Sequence, residues 1–146
     1  MFTESVTIRG NLEVALYDES GAIKDSRKVN NLVVAVGKDL IASRLVGNTL
    51  AIPSHMALGS SSTAAATSQT ALGSELGRVS LDSTSRTSNT VSYVATFPAG
   101  TGTGTVQEAG IFNDGTTGNM LCRTTFSAVN KAAGDTVVVT WNVTVA

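Results

Sequence analysis

Apolar residues at every second position are the feature that most limits what this sequence can fold into. The two clearest runs lie near the ends of the chain: Val6, Ile8, Leu12, Val14 and Leu16, and then Val137, Val139, Trp141, Val143 and Val145. Successive side chains of a β-strand point to opposite faces, so a period of two indicates half-buried strands. A strong turn signal at residues 113–115, Asn-Asp-Gly, predicts a hairpin between 106–112 and 120–126.

These strand and turn signals together predict a mainly β protein. About seven or eight short strands at this spacing favour an antiparallel β-sandwich or a jelly-roll-like fold. One short helix is expected at about 36–46, where Val36, Leu40, Ile41 and Leu45 form an apolar stripe that ends at Gly47-Asn48.

The length of 146 residues suits a single domain that covers residues 1–146. Two stretches have the composition of flexible loops: Ser, Thr and Ala near 60–70, and Gly and Thr near 98–105.

Low charge is the main compositional signal. Charged residues make up 14% of the chain, against about 25% in typical soluble domains. The polar surface consists instead of Ser and Thr, which can be desolvated against a partner without stranding ions. This composition favours a subunit of an assembly. The net charge is −1 and no basic run is present, so nucleic-acid binding is not expected. Neither a signal peptide nor an apolar membrane span is recognisable, so we expect no membrane contact and either synthesis and folding in a cytoplasm or an export signal that has been removed.

Candidate catalytic groups are few. His55 is the one histidine and Cys122 the one cysteine. A lone histidine in an apolar stretch is more often structural than catalytic, and a zinc site needs more ligands than these two residues supply. Cys122 is expected to be a small core or interface residue. We therefore predict no catalytic residue, no metal site and no cofactor.

Four carboxylates form an alternative acid–base set: Asp82, Glu108, Asp114 and Asp135. They are scattered along the sequence, and Asp114 and Asp135 lie in turns, where Asp side chains usually bind their own backbone. Glu108 is expected to share a strand face with Val106, Gly110 and Phe112, and to be a semi-buried partner of Arg123 on the neighbouring strand. The Gly-rich segment 100–104 has neither the following helix nor the Lys of a phosphate-binding loop.

Several phrases of the sequence resemble a family of tailed-bacteriophage structural proteins. They are Asn-Leu-Val-Val at 31–34, Gly-Lys-Asp-Leu-Ile-Ala at 37–42, Ser-His-Met-Ala-Leu-Gly at 54–59, Thr-Ala-Leu-Gly-Ser-Glu-Leu at 70–76, Glu-Ala-Gly-Ile-Phe-Asn at 108–113, Met-Leu-Cys-Arg-Thr-Thr-Phe at 120–126, and the Val-rich stretch 137–145 with Trp141. Their order and spacing cover nearly the whole chain. A stand-alone chain of this length resembles the capsid cement (decoration) proteins, and related modules occur in phage tail-fibre and collar proteins.

The resemblance implies a jelly-roll or β-sandwich fold and a homodimer or homotrimer on the outer capsid surface of the virion, where it clamps neighbouring major capsid proteins. We expect contacts with the shell in segments that are exposed and flexible, at Met1, Phe2, Thr3, Ser61, Thr63, Thr101 and Thr103. The alternative is a tail-fibre, collar or baseplate component, with host-receptor binding. A third hypothesis is a hydrolase that uses His55 or the carboxylates.

Overall fold

The computed structural model describes residues 4–47 and 50–146, which form nine antiparallel strands and one helix. The strands are β1 (Ile8–Tyr17), β2 (Ile23–Val33), β3 (His55–Gly59), β4 (Glu75–Ser80), β5 (Ser83–Thr87), β6 (Thr90–Phe97), β7 (Gly104–Phe112), β8 (Met120–Lys131) and β9 (Thr136–Val145). The helix, α1, spans Ala35–Leu45, close to the predicted 36–46. The prediction of a mainly β, antiparallel protein with one short helix is confirmed.

The nine strands form one curled sheet, a half-barrel, with the order β4-β3-β7-β8-β2-β1-β9-β6-β5. The predicted sandwich of two separate sheets is not confirmed. The physical reason lies in β2, which pairs with β1 along residues 23–31 and then with β8 at Leu32 and Val33. One continuous strand thus belongs to both halves of the sheet. The alternation of apolar residues within a strand does not indicate which other strands it pairs with, so the sequence could not predict this arrangement.

The two ends of the strand order are joined by a sharp corner of the chain. Only Leu81 and Asp82 separate β4 from β5. Leu81 N donates to Ser54 O at 2.9 Å, next to β3, whereas Asp82 N donates to Val94 O of β6 at 2.7 Å. Consecutive residues therefore bind opposite ends of the sheet, which holds the curl together.

The main core fills the concave side of the curl. Leu12 of β1 lies opposite Trp141 of β9, which in turn lies opposite Tyr93 of β6. All three side chains are buried. For Leu12 and Trp141 this burial is what the alternation of apolar residues predicted. Val6 and Val145 are exceptions to that prediction, because Val6 precedes β1 and both side chains are exposed.

Helix α1 packs on the convex side, against β8. Gly37 faces the backbone so closely that an added Cβ would overlap Leu121 O, and Leu40 is buried beside it. Leu45, expected in the buried stripe, is 84% exposed, so the stripe prediction is wrong at its last position. Asn48, the predicted second residue of the C-cap, lies outside the described residues.

Candidate interaction surface

The convex side of the sheet is covered over one half only. Over β3, β7 and β8 a second apolar cluster of Val34, Ala57, Phe112 and Met120 packs against Val36 and Leu72, which come from α1 and from the segment 60–74. Over β9, β6 and β5, all outer side chains are exposed or half-buried in the described part of the chain. We call this uncovered side, with its continuation over β1 and β2, the bare face.

A buried carboxylate holds the segment 60–74 in place. Glu108 Oε2 accepts from Ser61 N at 2.9 Å and from Ser74 N at 2.8 Å, and Oε1 accepts from Gly73 N at 2.8 Å. Arg123 Nη2 donates to the same Oε1 at 3.0 Å, with both charged side chains fully buried. The predicted Glu108–Arg123 pair is confirmed, and burial is tolerated because the charges are paired and hydrogen-bonded.

Arg123 extends the same network. Its Nη1 donates to Thr63 O at 2.9 Å and to Gln69 Oε1 at 3.1 Å. Farther along, Ala35 N donates to Thr67 O at 2.8 Å and so joins the segment to the start of α1. Ser61 and Thr63, two of the predicted contact residues, thus belong to a hydrogen-bonded cover over β7 and β8. Sequence reasoning missed these bonds.

Glu108 lies on this side of the sheet at an irregularity of the β7–β8 ladder. Val106 lies opposite Val129, whereas Glu108 lies opposite Thr125, so the extra residues of the ladder belong to β8. Val106 points into the main core, and Glu108 shares the convex side with Gly110 and Phe112. The prediction that Val106 and Glu108 share a face is wrong, because it assumed a regular strand pair and the ladder is irregular between these two residues.

The other predicted contact loop packs against β4. Gly102 is buried against Leu58 and Phe97, and a Cβ added at Gly77 of β4 would lie 2.7 Å from Gly102 N. Gly102 has a φ of +69°, which disfavours residues with a Cβ. Thr101 is half-buried in this loop and Thr103 is exposed. Met1, Phe2 and Thr3 lie outside the described residues.

Rows of uncharged side chains cross the bare face. One row runs in register over five strands: Asn30, Asn11, Asn142, Ser92 and Ser85. The outer residues of β9, β6 and β5 are all Ser, Thr, Val or Asn: Thr136, Val138, Thr140, Asn142, Thr144, Thr90, Ser92, Val94, Thr96, Ser83, Ser85 and Thr87. Over these three strands the bare face carries no charge and offers many hydroxyl groups.

Exposed aliphatic side chains lie at the C-terminal end of α1 and just beyond it. Leu45, Val46 and Ile52 are 84%, 76% and 57% exposed. Arg44 Nη1 donates to Leu50 O at 3.2 Å, and this hydrogen bond joins the end of the helix to the segment that follows it. We call Leu45, Val46 and Ile52 the apolar tip. Exposed apolar groups on one short stretch of chain are candidates for an interaction site.

The candidate catalytic side chains share no hydrogen bond with one another among the described residues. His55 Nδ1 is 2.8 Å from Ser54 Oγ, and its Nε2 is 3.3 Å from Ser80 Oγ. Among the hydrogen bonds of the described residues, the ring contacts hydroxyl groups and no carboxylate. No group of three or more His, Cys, Asp or Glu in the described ranges is placed to hold a metal ion. Cys122 is fully buried, as predicted, and burial raises its pKa well above the usual range.

The carboxylates are engaged with nearby groups. Asp114 accepts from Thr117 N and Thr116 N, both at 2.9 Å, and these backbone bonds lower its pKa to about 2. The Lys24 ammonium, 2.7 Å away, and then Ala132 N lower the pKa of Asp135. The turn prediction for both residues is confirmed. Asp82 accepts from Thr96 Oγ1 at 2.6 Å.

No helix among residues 4–47 and 50–146 has the length and apolar character needed to cross a membrane. No family model, curated protein or solved structure matches the chain.

Proposed function

We propose that this chain is a non-enzymatic structural protein of a phage particle, which binds the outer surface of the capsid and cements neighbouring major capsid subunits. The observation that supports this most is the apolar tip, because Leu45, Val46 and Ile52 expose aliphatic surface that a binding partner would cover. The proposal includes the finer fold assignment, a jelly-roll-like arrangement, and synthesis in the cytoplasm of the host bacterium.

The bare face supports a binding role in a second way. Interfaces between proteins combine a small apolar centre, where most of the free energy of binding resides, with a wider polar rim. The apolar tip, at the end of α1, has the apolar character of such a centre. The bare face, on the half of the sheet that α1 does not cover, offers uncharged Ser and Thr side chains for a separate polar contact. A protein that binds only the assembled shell stabilises that state by mass action, and several weak contacts on a lattice act together.

A component of the phage tail is the second candidate function. The observation that favours it is the row of three carboxamides on the bare face, Asn30, Asn11 and Asn142. Carboxamides donate and accept hydrogen bonds and so suit the hydroxyl groups of a host glycan. The groove along this row is lined by polar and aliphatic side chains and contains no aromatic ring for a sugar to stack on.

Binding to purified phage capsids tests the first proposal. Protein is added to capsids that lack it, and the particles are imaged by electron cryomicroscopy. We expect ordered extra density at repeated positions on the shell and a higher temperature of capsid disruption. Density on tails alone would favour the second candidate, and particles without added density would contradict both.

Variants of the apolar tip sharpen this test. The double variant Leu45→Ser, Val46→Ser should reduce occupancy on the shell, because it removes exposed aliphatic surface without opening a core cavity. Ile23→Ser is the matched control, since Ile23 is 61% exposed beside the β1–β2 turn, away from the tip. Equal loss of occupancy in both variants would argue against the apolar tip as the contact.

A further inference from the structure

The two edge strands of the sheet differ in exposure. The loop that contains Gly102 packs against β4 at Gly77, Leu76 lies beside Gly104 of the same loop, and three of the six residues of β4 are half-buried. At the opposite end of the strand order, all five residues of β5 are exposed. Unpaired N–H and C=O groups at an open edge are a template for pairing with another strand.

We propose that β5 pairs antiparallel with β5 of a second copy of this chain, around a two-fold axis at Ser85. The inference goes beyond the proposed function, since such a dimer requires no capsid. The occupant follows from the composition of the strand, Ser83-Thr84-Ser85-Arg86-Thr87, because a second copy brings a Thr opposite the single Arg of the first and pairs the other Ser and Thr residues with one another. Symmetric dimers use the same patch on both copies, so the patch has to match itself.

The backbone of β5 has free groups in the required positions. A two-residue turn joins β5 to β6, and its first residue, Ser88, has a φ of +54°, as primed hairpin turns require. The pair that closes such a turn, Thr87 and Thr90, exchanges both of its hydrogen bonds, and every second pair along the ladder does the same. Ser85 therefore binds β6, while the N–H and C=O groups of Thr84 and Arg86 point to the open edge.

Charge and the length of the strand together favour this register. Arg86 is the one charged residue of β5. A two-fold axis at Ser85 places each Arg86 opposite Thr84 of the second copy and pairs the whole strand. An axis at Arg86 would place two guanidinium groups opposite each other, which destabilises a strand pair.

The dimer would join the two bare faces into one. The row that ends at Ser85 continues into Ser85, Ser92 and Asn142 of the second copy, because paired residues lie on the same side of a sheet. One strand pair buries less than the roughly 800 Å² per partner of a standard stable interface, so association in solution is weak. Neighbouring sites on a lattice would strengthen it through a high effective concentration.

Cysteine cross-linking tests the pairing and its register. Cβ atoms of directly opposite residues lie about 4.5–5.5 Å apart, close to the separation that a disulfide spans. Under mild oxidation, Ser85→Cys should become a covalent dimer with twice the mass of 14.9 kDa. Ser92→Cys is the matched control: it lies in the same row but on β6, away from the edge, and should remain monomeric. The native Cys122 is buried and does not compete.

A proline variant separates edge pairing from other modes of contact. Thr84→Pro removes an N–H that points away from β6, so the folded monomer should keep its circular dichroism spectrum. In a Ser85→Cys background it should abolish the cross-linked dimer. Ser85→Cys protein that stays monomeric, or a dimer that survives Thr84→Pro, would overturn the proposal, as would equal cross-linking of Ser92→Cys. None of these outcomes depends on capsid binding.

Discussion

Arg123 donates to Glu108 Oε1 through both Nε, at 3.1 Å, and Nη2, at 3.0 Å, and neither side chain is more than 1% exposed. This buried ion pair joins β7 to β8. The carboxylate also accepts three backbone N–H groups of the segment 60–74. One side chain thus organises a stretch whose Ser-, Thr- and Ala-rich sequence specifies little structure by itself.

Loss of the Glu108 charge should loosen the segment 60–74. Glu108→Gln leaves a buried guanidinium without its counter-ion, and breaking a buried pair in this way typically costs about 3–5 kcal/mol in free energy of unfolding. Urea denaturation measures the loss. Hydrogen exchange should accelerate first at Ser61, Gly73 and Ser74, whose N–H groups bind the carboxylate.

The control for that variant is Glu13→Gln. Glu13 is paired with Lys28 at 3.8 Å, and both side chains are at least half exposed. Exposed pairs contribute at most about 1 kcal/mol, so stability should change little and exchange in 60–74 should not change. Similar losses in the two variants would show that Glu108 does not organise the segment.

These contacts mark where sequence reasoning succeeds and where it fails. The Glu108–Arg123 pair was predictable, because the turn at residues 113–115 places β7 and β8 side by side. The three N–H donors to Glu108 come from residues 34 to 47 positions away, and no local pattern indicates them. The irregularity between Val106 and Glu108 was equally unpredictable, because no residue type in this part of β7 or β8 indicates that the two side chains lie on opposite faces.

The same contrast applies to the sheet as a whole. The alternation in β1 and β9 is clear because each strand buries one face, as Leu12 and Trp141 do. The role of β2 as a member of both halves depends on two residue pairs with β8, at Leu32 and Val33. The bare face consists of ordinary outward-facing Ser and Thr residues, and it becomes distinctive only once α1 is known to cover the other half.

Gly37→Ala should weaken the attachment of α1 to the sheet. The added methyl group would overlap Leu121 O, a backbone atom that cannot rotate away. Overpacking of this kind costs about 1–3 kcal/mol or more, which outweighs the better helix propensity of alanine. Thermal unfolding should show a lower Tm. Gly115→Ala is a suitable control because its methyl group would meet the His55 side chain, 3.2 Å away, which can shift; a larger loss there would contradict the argument.

Stability should decline in acid through Asp114. Its pKa falls from 3.8 to about 2 in the folded protein, because Thr117 N and Thr116 N donate to the carboxylate. A folded pKa below the unfolded value means that the stabilisation is complete above about pH 4 and is lost as the pH falls through about 2. Asp114→Asn should flatten the plot of Tm against pH in this window. Asp39→Asn, which removes an exposed carboxylate from α1, is the matched control for the loss of one negative charge.

Cys122 should be inert to thiol reagents in the folded protein. The side chain is fully buried, and burial raises the pKa of the thiol, so the reactive thiolate is scarce as well as inaccessible. Labelling with a disulfide reagent should proceed at the rate of unfolding and accelerate on addition of urea. The exposed thiol of Ser85→Cys provides the internal comparison, because it should react within the mixing time in the same native sample. Rapid modification of Cys122 without denaturant would mean that β8 opens locally, and the β2–β8 junction at Val33, opposite Cys122, would then be the weak point of the sheet.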